Sequence, residues 1–206
     1  MSQKLPTIVT PEGRTEWLKA FTPDFKFNEL GEYGCTLIIE NSAALPLMEK
    51  LDWYMQSSIE HAMDETGKTK DKIKTNPPYS IDDETGDVSF KFKLKAKVQG
   101  RNGDFEQKPL VIDARKVPVT DEVPTWNGSR VRIGFQPVVY YTGLVGAGVS
   151  LRMKIVQLIE ALDGGGGAGA ASGFDVEDGF EFVSAGSPAP VVAQAEASED
   201  FDDIPF

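Results

Sequence analysis

A chain of 206 residues is long enough for one domain of about 150 residues with an appendage, and too short for two large enzyme domains. Its formal net charge of −11, from 32 acidic and 21 basic residues, at first argues against a protein that binds a polyanion. The single cysteine excludes an internal disulfide, and one cysteine with one histidine cannot build a His/Cys zinc site. Because the sequence has neither a leader nor a run of about 18 apolar residues, it predicts a soluble cytoplasmic protein without a membrane partner.

The acidity is concentrated at one end of the chain. Residues 1–163 carry all 21 bases and 23 acids, for a net charge of −2, whereas residues 164–206 carry nine acids and no base. From Gly164 onward the composition shifts to small and acidic residues, with few large side chains to bury. We therefore predict a folded domain over residues 1–163 and a disordered, Gly-rich acidic tail over 164–206, within which residues 174–183 could order on a partner. A coil of that length reaches roughly 35 Å, so the tail can touch its own domain or a neighbour.

Alternation of apolar and polar residues between turn signals predicts six strands in the domain. They cover residues 14–21, 33–40, 88–99, 105–117, 129–141 and 148–158. The pairs Asn102-Gly103 and Asn127-Gly128 are typical of two-residue hairpin turns, and residues 85–87 form a third turn.

One helix is predicted between the second and third strands. It begins after Asn41-Ser42, either of which can cap free N–H groups, and it ends near Gly67. An apolar stripe at helical spacing is expected to pack on the core. The stripe consists of Leu47, Leu51, Met55, Ile59 and either Ala62 or Met63.

The segment 148–158 fits either a strand or a helix, but a strand with a bulge near Ile155-Val156 agrees better with so many hairpins. Hairpin-linked strands with one helix predict a mostly β fold, an OB-type antiparallel barrel with one inserted α-helix, followed by the disordered acidic tail. The core of this barrel is expected to contain Trp17, Trp53 and a buried thiol at Cys35.

The segment 89–100 carries four lysines in alternation with apolar residues. One face of this strand would turn to the core, and the other would present Lys91, Lys93, Lys95 and Lys97. Alternate residues on a strand lie about 6.6 Å apart, a spacing comparable to that of phosphates along an extended single strand, and lysine demands no single contact geometry. The row suits a nucleic-acid backbone, although a solvated strand face, or lysines that oppose edge pairing, would look the same.

Further bases and rings accompany this row in the predicted fold. Four more lysines precede it within residues 68–74. Candidates for phosphate contacts are Arg101, Arg115, Lys116, Arg130 and Arg132. Candidates for base stacking, which tolerates any sequence, are Tyr79, Phe105, Trp126, Tyr140 and Tyr141. For each ring taken alone, packing in the core or in a hairpin explains the residue at least as well.

Four acids around Gly86 raise the alternative of a metal-dependent nuclease. They are Asp82, Asp83, Glu84 and Asp87. Acidic residues are common at hairpin tips for reasons of turn geometry, and their spacing here matches no EF-hand loop. The sequence contains no phosphate-loop motif and no recognisable Ser/His/Asp set. We therefore predict no catalytic residue, no metal and no cofactor.

The chain ends in EDFDDIPF, which has the properties of a short peptide ligand. Clustered carboxylates steer such a peptide to a basic surface, proline limits the conformations lost on binding, and the terminal ring and carboxylate can enter a pocket. The predicted partner-binding residues are Asp200, Phe201, Asp202, Asp203, Ile204, Pro205 and Phe206. This tip closely resembles the C-terminus of bacterial single-stranded DNA-binding proteins, which recruits replication, repair and recombination enzymes.

The body of the chain resembles a second group, the bacteriophage single-stranded DNA-binding proteins, which have an OB fold with an inserted helix. The similar stretches are residues 20–42 with the helix that follows, and residues 128–162. The resemblance implies a non-enzymatic protein that coats and protects single-stranded DNA, regardless of sequence, during DNA replication, recombination or repair in a bacterium or infected cell. The tail would recruit a polymerase, helicase-primase, nuclease or recombinase, and it would compete with DNA for the basic surface. A recombination annealing protein, or an adaptor that binds only protein, are the alternatives among binding functions.

Overall fold

The computed structural model describes residues 5–26, 28–100 and 103–162, and eleven strands, one α-helix and one short 3₁₀ helix lie within these ranges. The strands are β1 (Ile8–Val9), β2 (Gly13–Asp24), β3 (Glu32–Ile39), β4 (Thr75–Asn76), β5 (Tyr79–Ile81), β6 (Val88–Lys95), β7 (Lys97–Val98), β8 (Phe105–Glu106), β9 (Leu110–Ile112), β10 (Arg130–Thr142) and β11 (Gly146–Glu160). The helix α1 spans Asn41–Thr66 and the 3₁₀ helix spans Lys70–Lys72. The predictions for Arg101, for Asn102 and for the tail at 164–206 concern residues outside the described ranges.

Five of the strands close into a ring. Their order is β10-β2-β3-β6-β11, and β11 pairs back to β10. Neighbours are antiparallel except β6 and β11, which run parallel. This closed five-stranded sheet, in which α1 is inserted along the chain between β3 and β6, has the arrangement of an OB barrel. The predicted fold class is confirmed for the described residues.

The ring is closed by a short seam between β10 and β2. Whereas β10 and β11 share thirteen register pairs, β10 and β2 share two, in which Arg130 faces Arg14 and Val131 faces Gly13. Two bonds extend the seam: the Thr15 N–H donates to the Ser129 carbonyl at 2.9 Å, and the Gly128 N–H donates to the Thr15 carbonyl at 2.7 Å. β2 and β10 are therefore held together over only a few residues.

Helix α1 packs on β10 and β11, and its end was predicted more accurately than its start. Gly67 ends it in a left-handed conformation (φ 66°) and donates its N–H to the Met63 carbonyl. The predicted side-chain cap is wrong, because the residue before the helix is Glu40 and it makes no side-chain cap bond. Asn41 instead donates its side-chain amide to the Gly86 carbonyl at 3.1 Å, which ties the helix to the turn before β6. The buried face of the helix consists of Ala44, Leu47, Leu51, Met55, Ser58, Ile59 and Ala62.

Aromatic side chains from β6 and β10 fill the centre of the barrel. Phe92 and Phe135 are fully buried and meet edge to face with their ring centroids 5.2 Å apart. Cys35 is buried as predicted, and burial raises the pKa of its thiol to about 12. The prediction that Trp17 and Trp53 belong to the core is wrong, since their exposed fractions are 72% and 65%. Trp53 lies on the outer side of α1, where its neighbour in an edge-to-face contact is Tyr54.

The single strand predicted over 105–117 is wrong. Only β8 and β9 form there, separated by Pro109, which has no N–H to donate to a ladder. β8 pairs with β7 in a separate two-stranded ribbon, and β9 runs parallel to β11. Because β9 and β10 both pair with β11 and not with each other, the Asn127-Gly128 turn does not join a hairpin.

The last long segment is the strand β11, so the alternative of a helix is wrong. Its pairing with β10 slips between Ile155, which faces Gly134, and Met153, which faces Phe135. This leaves Lys154 as the extra residue of a bulge, next to the position predicted from the alternation. None of the helices in the described ranges is long and apolar enough to cross a bilayer.

Candidate nucleic-acid interface

Strand β6 presents a row of lysines on the outside of the barrel. Successive side chains of a strand point to opposite faces, so its residues alternate between the core and solvent. Its neighbours in the barrel are β3 and β11. The inward residues are Val88, Phe90, Phe92 and Leu94, each at most 3% exposed. The outward lysines are Lys91, Lys93 and Lys95. Lys97 follows a break at Ala96, on the ribbon strand β7, where its ammonium pairs with Glu106 at 3.1 Å.

A second row of cations crosses the sheet at right angles to β6. Lys19 of β2 faces Gly34 of β3, Gly34 faces Lys93 of β6, and Lys93 faces Arg152 of β11. Four neighbouring strands span about 14 Å, so three cations share this line over a distance of a few nucleotides. Lys19 and Arg152 were not predicted as site residues, because their place in the row depends on the register of four strands.

Gly34 forms the low point of this line. A Cβ built on it would lie 2.7 Å from the carbonyl oxygen of Phe92, so a side chain is disfavoured there and the sheet surface stays open between Lys19 and Lys93.

Trp17 stands next to this low point because β2 carries a bulge. The register of β2 with β3 shifts between Glu16 and Lys19, and Trp17 has a left-handed φ of 55°, which is uncommon and strained for a bulky residue. Its N–H donates to the side-chain oxygen of Asn127 at 2.8 Å. The bulge turns Trp17 outward, which is the physical reason the core prediction failed. The burial pattern of β2 shows the bulge. The buried residues Gly13 and Thr15 are at odd positions, whereas the buried residues Leu18 and Ala20 are at even positions.

The bulge, the glycine and the lysines enclose a recess of about 190 Å³. We call it the Trp17 recess; its main lining residues are Trp17, Lys19, Glu32, Gly34, Lys91 and Lys93. It combines an exposed indole with three cations, which is the combination that holds a stacked base and its phosphates.

Two further depressions lie along the lysine row. The Tyr140 groove, of about 640 Å³, is lined by Tyr79, Tyr140, Asn76, Ser150, Lys91 and Lys93. The Phe105 recess, of about 320 Å³, is lined by Phe105, Glu32, Lys93, Lys95, Ser150 and Arg152. Lys93 lines both of these and the Trp17 recess as well.

The predicted rings differ in how they are held. Tyr79 packs on Phe90 and donates its hydroxyl to Asp52 at 2.8 Å; burial and then this bond raise its pKa to about 12. The Tyr140 hydroxyl accepts from the Asn76 amide at 2.6 Å. Phe105, by contrast, is half exposed beside Lys95. Phe105 is therefore freer to stack than either tyrosine.

The remaining predicted cations and rings lie away from the three depressions. Arg130, at the seam, bonds to Glu12 at 2.6 Å and to Glu160 at 3.2 Å, and these hydrogen bonds raise the pKa of its guanidinium. Arg132 of β10 faces Gln157 of β11. The others are Arg115 and Lys116 in the turn after β9, Trp126 beside the seam, and Tyr141, which packs partly against the core. None of these six lines the three depressions.

The acidic cluster before β6 stabilises the turn in which it lies. The Asp82 carboxylate accepts the N–H groups of Glu84 and Thr85 and the Thr85 hydroxyl at 2.8–3.1 Å. These bonds, chiefly those from Thr85, lower the pKa of Asp82. Within the described ranges no three His, Cys, Asp or Glu side chains are grouped to hold a metal ion.

Comparison with known proteins gives matches in structure but none in sequence. No protein-family model matches the chain, and no curated protein does. Among solved structures, the fold is similar to that of phage single-stranded DNA-binding proteins. That of gp2.5, encoded by bacteriophage T7, superposes with a TM-score of 0.71 at 22% identity, covering 87% of this chain and all of that one. The protein from bacteriophage Enc34 in complex with ssDNA gives a TM-score of 0.51 at 10% identity, covering 76% of this chain and 88% of that one. The resemblance predicted from the sequence is confirmed at the level of the fold.

Proposed function

We propose that this chain is a non-enzymatic protein that binds single-stranded DNA without regard to sequence. The observation that carries the proposal is the crossing of two cation rows at Lys93, on a sheet face flanked by the exposed rings of Trp17 and Phe105. Lysines neutralise phosphates without reading bases, and aromatic faces stack on any base. The similar folds of two phage proteins that are described as binding single-stranded DNA support the same function.

In the mechanism, the strand lies across the barrel face, with Lys19, Lys91, Lys93, Lys95 and Arg152 facing its phosphates. Bases turn toward the Trp17 and Phe105 recesses, where stacking contributes about 1 to 3 kcal/mol per base. Because every contact is to a backbone or a ring face, the protein would coat and protect single strands of any sequence. Such coating is needed in phage DNA replication, recombination or repair, in the cytoplasm of the bacterium or infected cell.

The chain would also recruit proteins through its acidic end. The proposed ligand is the tip formed by Asp200, Phe201, Asp202, Asp203, Ile204, Pro205 and Phe206, and its partners are polymerases, helicase-primases, nucleases or recombinases. The support is the charge partition, since residues 164–206 carry nine acids and no base. A tethered acidic tip has a high local concentration near the lysine rows, so DNA and tail would compete for them.

The test is fluorescence anisotropy with single-stranded, duplex and RNA oligomers at about 50 mM and about 200 mM salt. Replacing Lys91, Lys93 and Lys95 by Ala should weaken binding and flatten the log–log salt slope by up to about 2, which is about 0.7 for each lost phosphate contact. The matched control replaces Arg115, Lys116 and Arg132 by Ala, because it removes the same charge away from the recesses. Equal effects of the two triple variants would contradict this location of the site.

A further inference from the structure

Two acidic side chains line the proposed DNA path, and one of them, Glu32, touches more than one depression. Among the described residues that line the three depressions, the acids are Asp24 and Glu32. Of the three depressions, Asp24 lines only the Trp17 recess, and its carboxylate accepts the Lys26 backbone N–H at 2.7 Å. Glu32 lines both the Trp17 and the Phe105 recess, so it stands between the two exposed rings.

Glu32 is bonded to the cation at the crossing of the two rows. Its Oε1 accepts from the Lys93 ammonium at 2.8 Å, with the Glu32 side chain 30% exposed and that of Lys93 60% exposed. The pair is held in place by register, because Glu32 faces Lys95 and the next outward residue of β3, Gly34, faces Lys93. The carboxylate therefore reaches diagonally along the face to the lysine opposite the glycine.

The position of Glu32 works against binding of a polyanion. A phosphate at Lys93 meets a carboxylate that already accepts from the ammonium and that repels the incoming negative charge. The pair is neutral as a whole, so the site presents one positive charge fewer than its lysines and arginine suggest.

We infer that Glu32 is a built-in competitor for Lys93 that limits the affinity of the site for single-stranded DNA. The inference rests on the proposed function and adds to it a residue that sets affinity. Binding of a strand breaks the Glu32–Lys93 bond and puts a phosphate in place of the carboxylate; release of the strand re-forms the bond. Glu32 thus favours dissociation, which lets the protein be displaced when a strand has to be copied or paired.

The experiment is Glu32→Gln in the full chain, titrated with a single-stranded oligothymidine at several salt concentrations. Loss of an exposed ion-pair competitor should tighten binding by about two- to fivefold at low salt and steepen the log–log salt slope by up to about 0.7. Glu29→Gln is the matched control, because it makes the same change of charge in the preceding turn, at a residue that lines none of the three depressions. Thermal unfolding of both variants verifies that the barrel is intact.

The competition with Lys93 is isolated by a double-mutant cycle. In the background of Lys93→Ala, Glu32→Gln should tighten binding less than it does when Lys93 is present, because only the repulsion between Glu32 and the phosphates is then removed. Tightening that persists in full there, an equal effect of Glu29→Gln, or unchanged or weaker binding by Glu32→Gln would each overturn the inference while leaving the proposed function intact. Absence of binding by the unaltered chain would overturn the proposed function and the inference with it.

Discussion

Trp17 and Trp53 are two indoles of similar exposure in very different surroundings. Trp17 lines a recess with Lys19, Lys91 and Lys93, whereas Trp53 lies on the outer side of α1. If Trp17 stacks on a base, Trp17→Ala should cost about 1 to 3 kcal/mol of binding free energy, measured by anisotropy with single-stranded oligomers. Trp53→Ala is the matched control and should bind like the unaltered chain; its tryptophan fluorescence should still be quenched by DNA, because Trp17 remains. A loss of affinity confined to Trp53→Ala would put the strand on the helix face.

Cys35 makes the stability of the barrel depend on pH in the alkaline range. Its pKa rises from 9.0 to about 12 because it is buried, so the folded protein keeps a proton that the unfolded chain loses. The stabilisation is complete below about pH 9 and is lost as pH rises from there toward 12. The free energy of unfolding by urea should fall between about pH 8 and about pH 10, and the fall should be smaller in Cys35→Ala. Tyr79, whose pKa is also raised to about 12, adds a dependence of the same sign above about pH 10.

The bulge in β2 is held by the loop before β10. The Asn127 side chain accepts the N–H of Trp17, the strained residue of the bulge. Asn127→Ala should lower the affinity for single-stranded DNA although Asn127 lines none of the three depressions, and it should cost about 1 kcal/mol of stability from the lost hydrogen bond.

Asn127→Asp distinguishes positioning of Trp17 from a general loss of stability. A carboxylate at residue 127 can still accept the Trp17 N–H, so this variant should recover the quenching of Trp17 fluorescence. It should also recover DNA binding, apart from the repulsion that its added negative charge causes. Recovery of stability without recovery of quenching would contradict the positioning role of Asn127.

The elements that could be predicted are those specified by a local pattern. The alternation of lysines with Phe90, Phe92 and Leu94 sufficed to predict β6 and its exposed face, because a strand repeats every two residues whatever its neighbours are. Gly67 sufficed to predict the end of α1, because the left-handed conformation that ends a helix costs glycine less free energy than other residues.

The features that the sequence did not predict are of two kinds: some depend on contacts between distant segments, and others have a local signal that alternation alone does not resolve. The line through Lys19, Lys93 and Arg152 exists because four strands pair in one register, and single-strand alternation does not report a register. The core prediction for Trp17 is wrong because the phase of the alternation slips after Thr15, at the bulge of β2. The single strand predicted over 105–117 is wrong because Pro109 has no N–H and therefore interrupts the hydrogen-bond ladder of a strand.

For the whole molecule, the distribution of charge explains how an acidic protein can be proposed to bind DNA. Residues 1–163 are nearly neutral, and the net −9 of residues 164–206 is tethered to them. Deleting residues 164–206 should tighten DNA binding, most strongly at low salt where charges are least screened, and abolish recruitment of partner proteins. Anisotropy measures the first effect, and co-precipitation with a replication polymerase measures the second. Weaker DNA binding after the deletion would contradict competition between tail and DNA.

The short seam between β2 and β10 has a consequence for the order in which the barrel forms. It joins residues such as Thr15 and Ser129 that lie 114 positions apart, whereas the hairpin of β10 and β11 is local in sequence. Closing a long loop costs entropy before its few contacts are made, so the hairpin should form early and the seam last. In native-state hydrogen exchange, the seam amides of Thr15 and Gly128 should exchange faster than those in the middle of β10, and equal protection would show that the barrel opens as one unit.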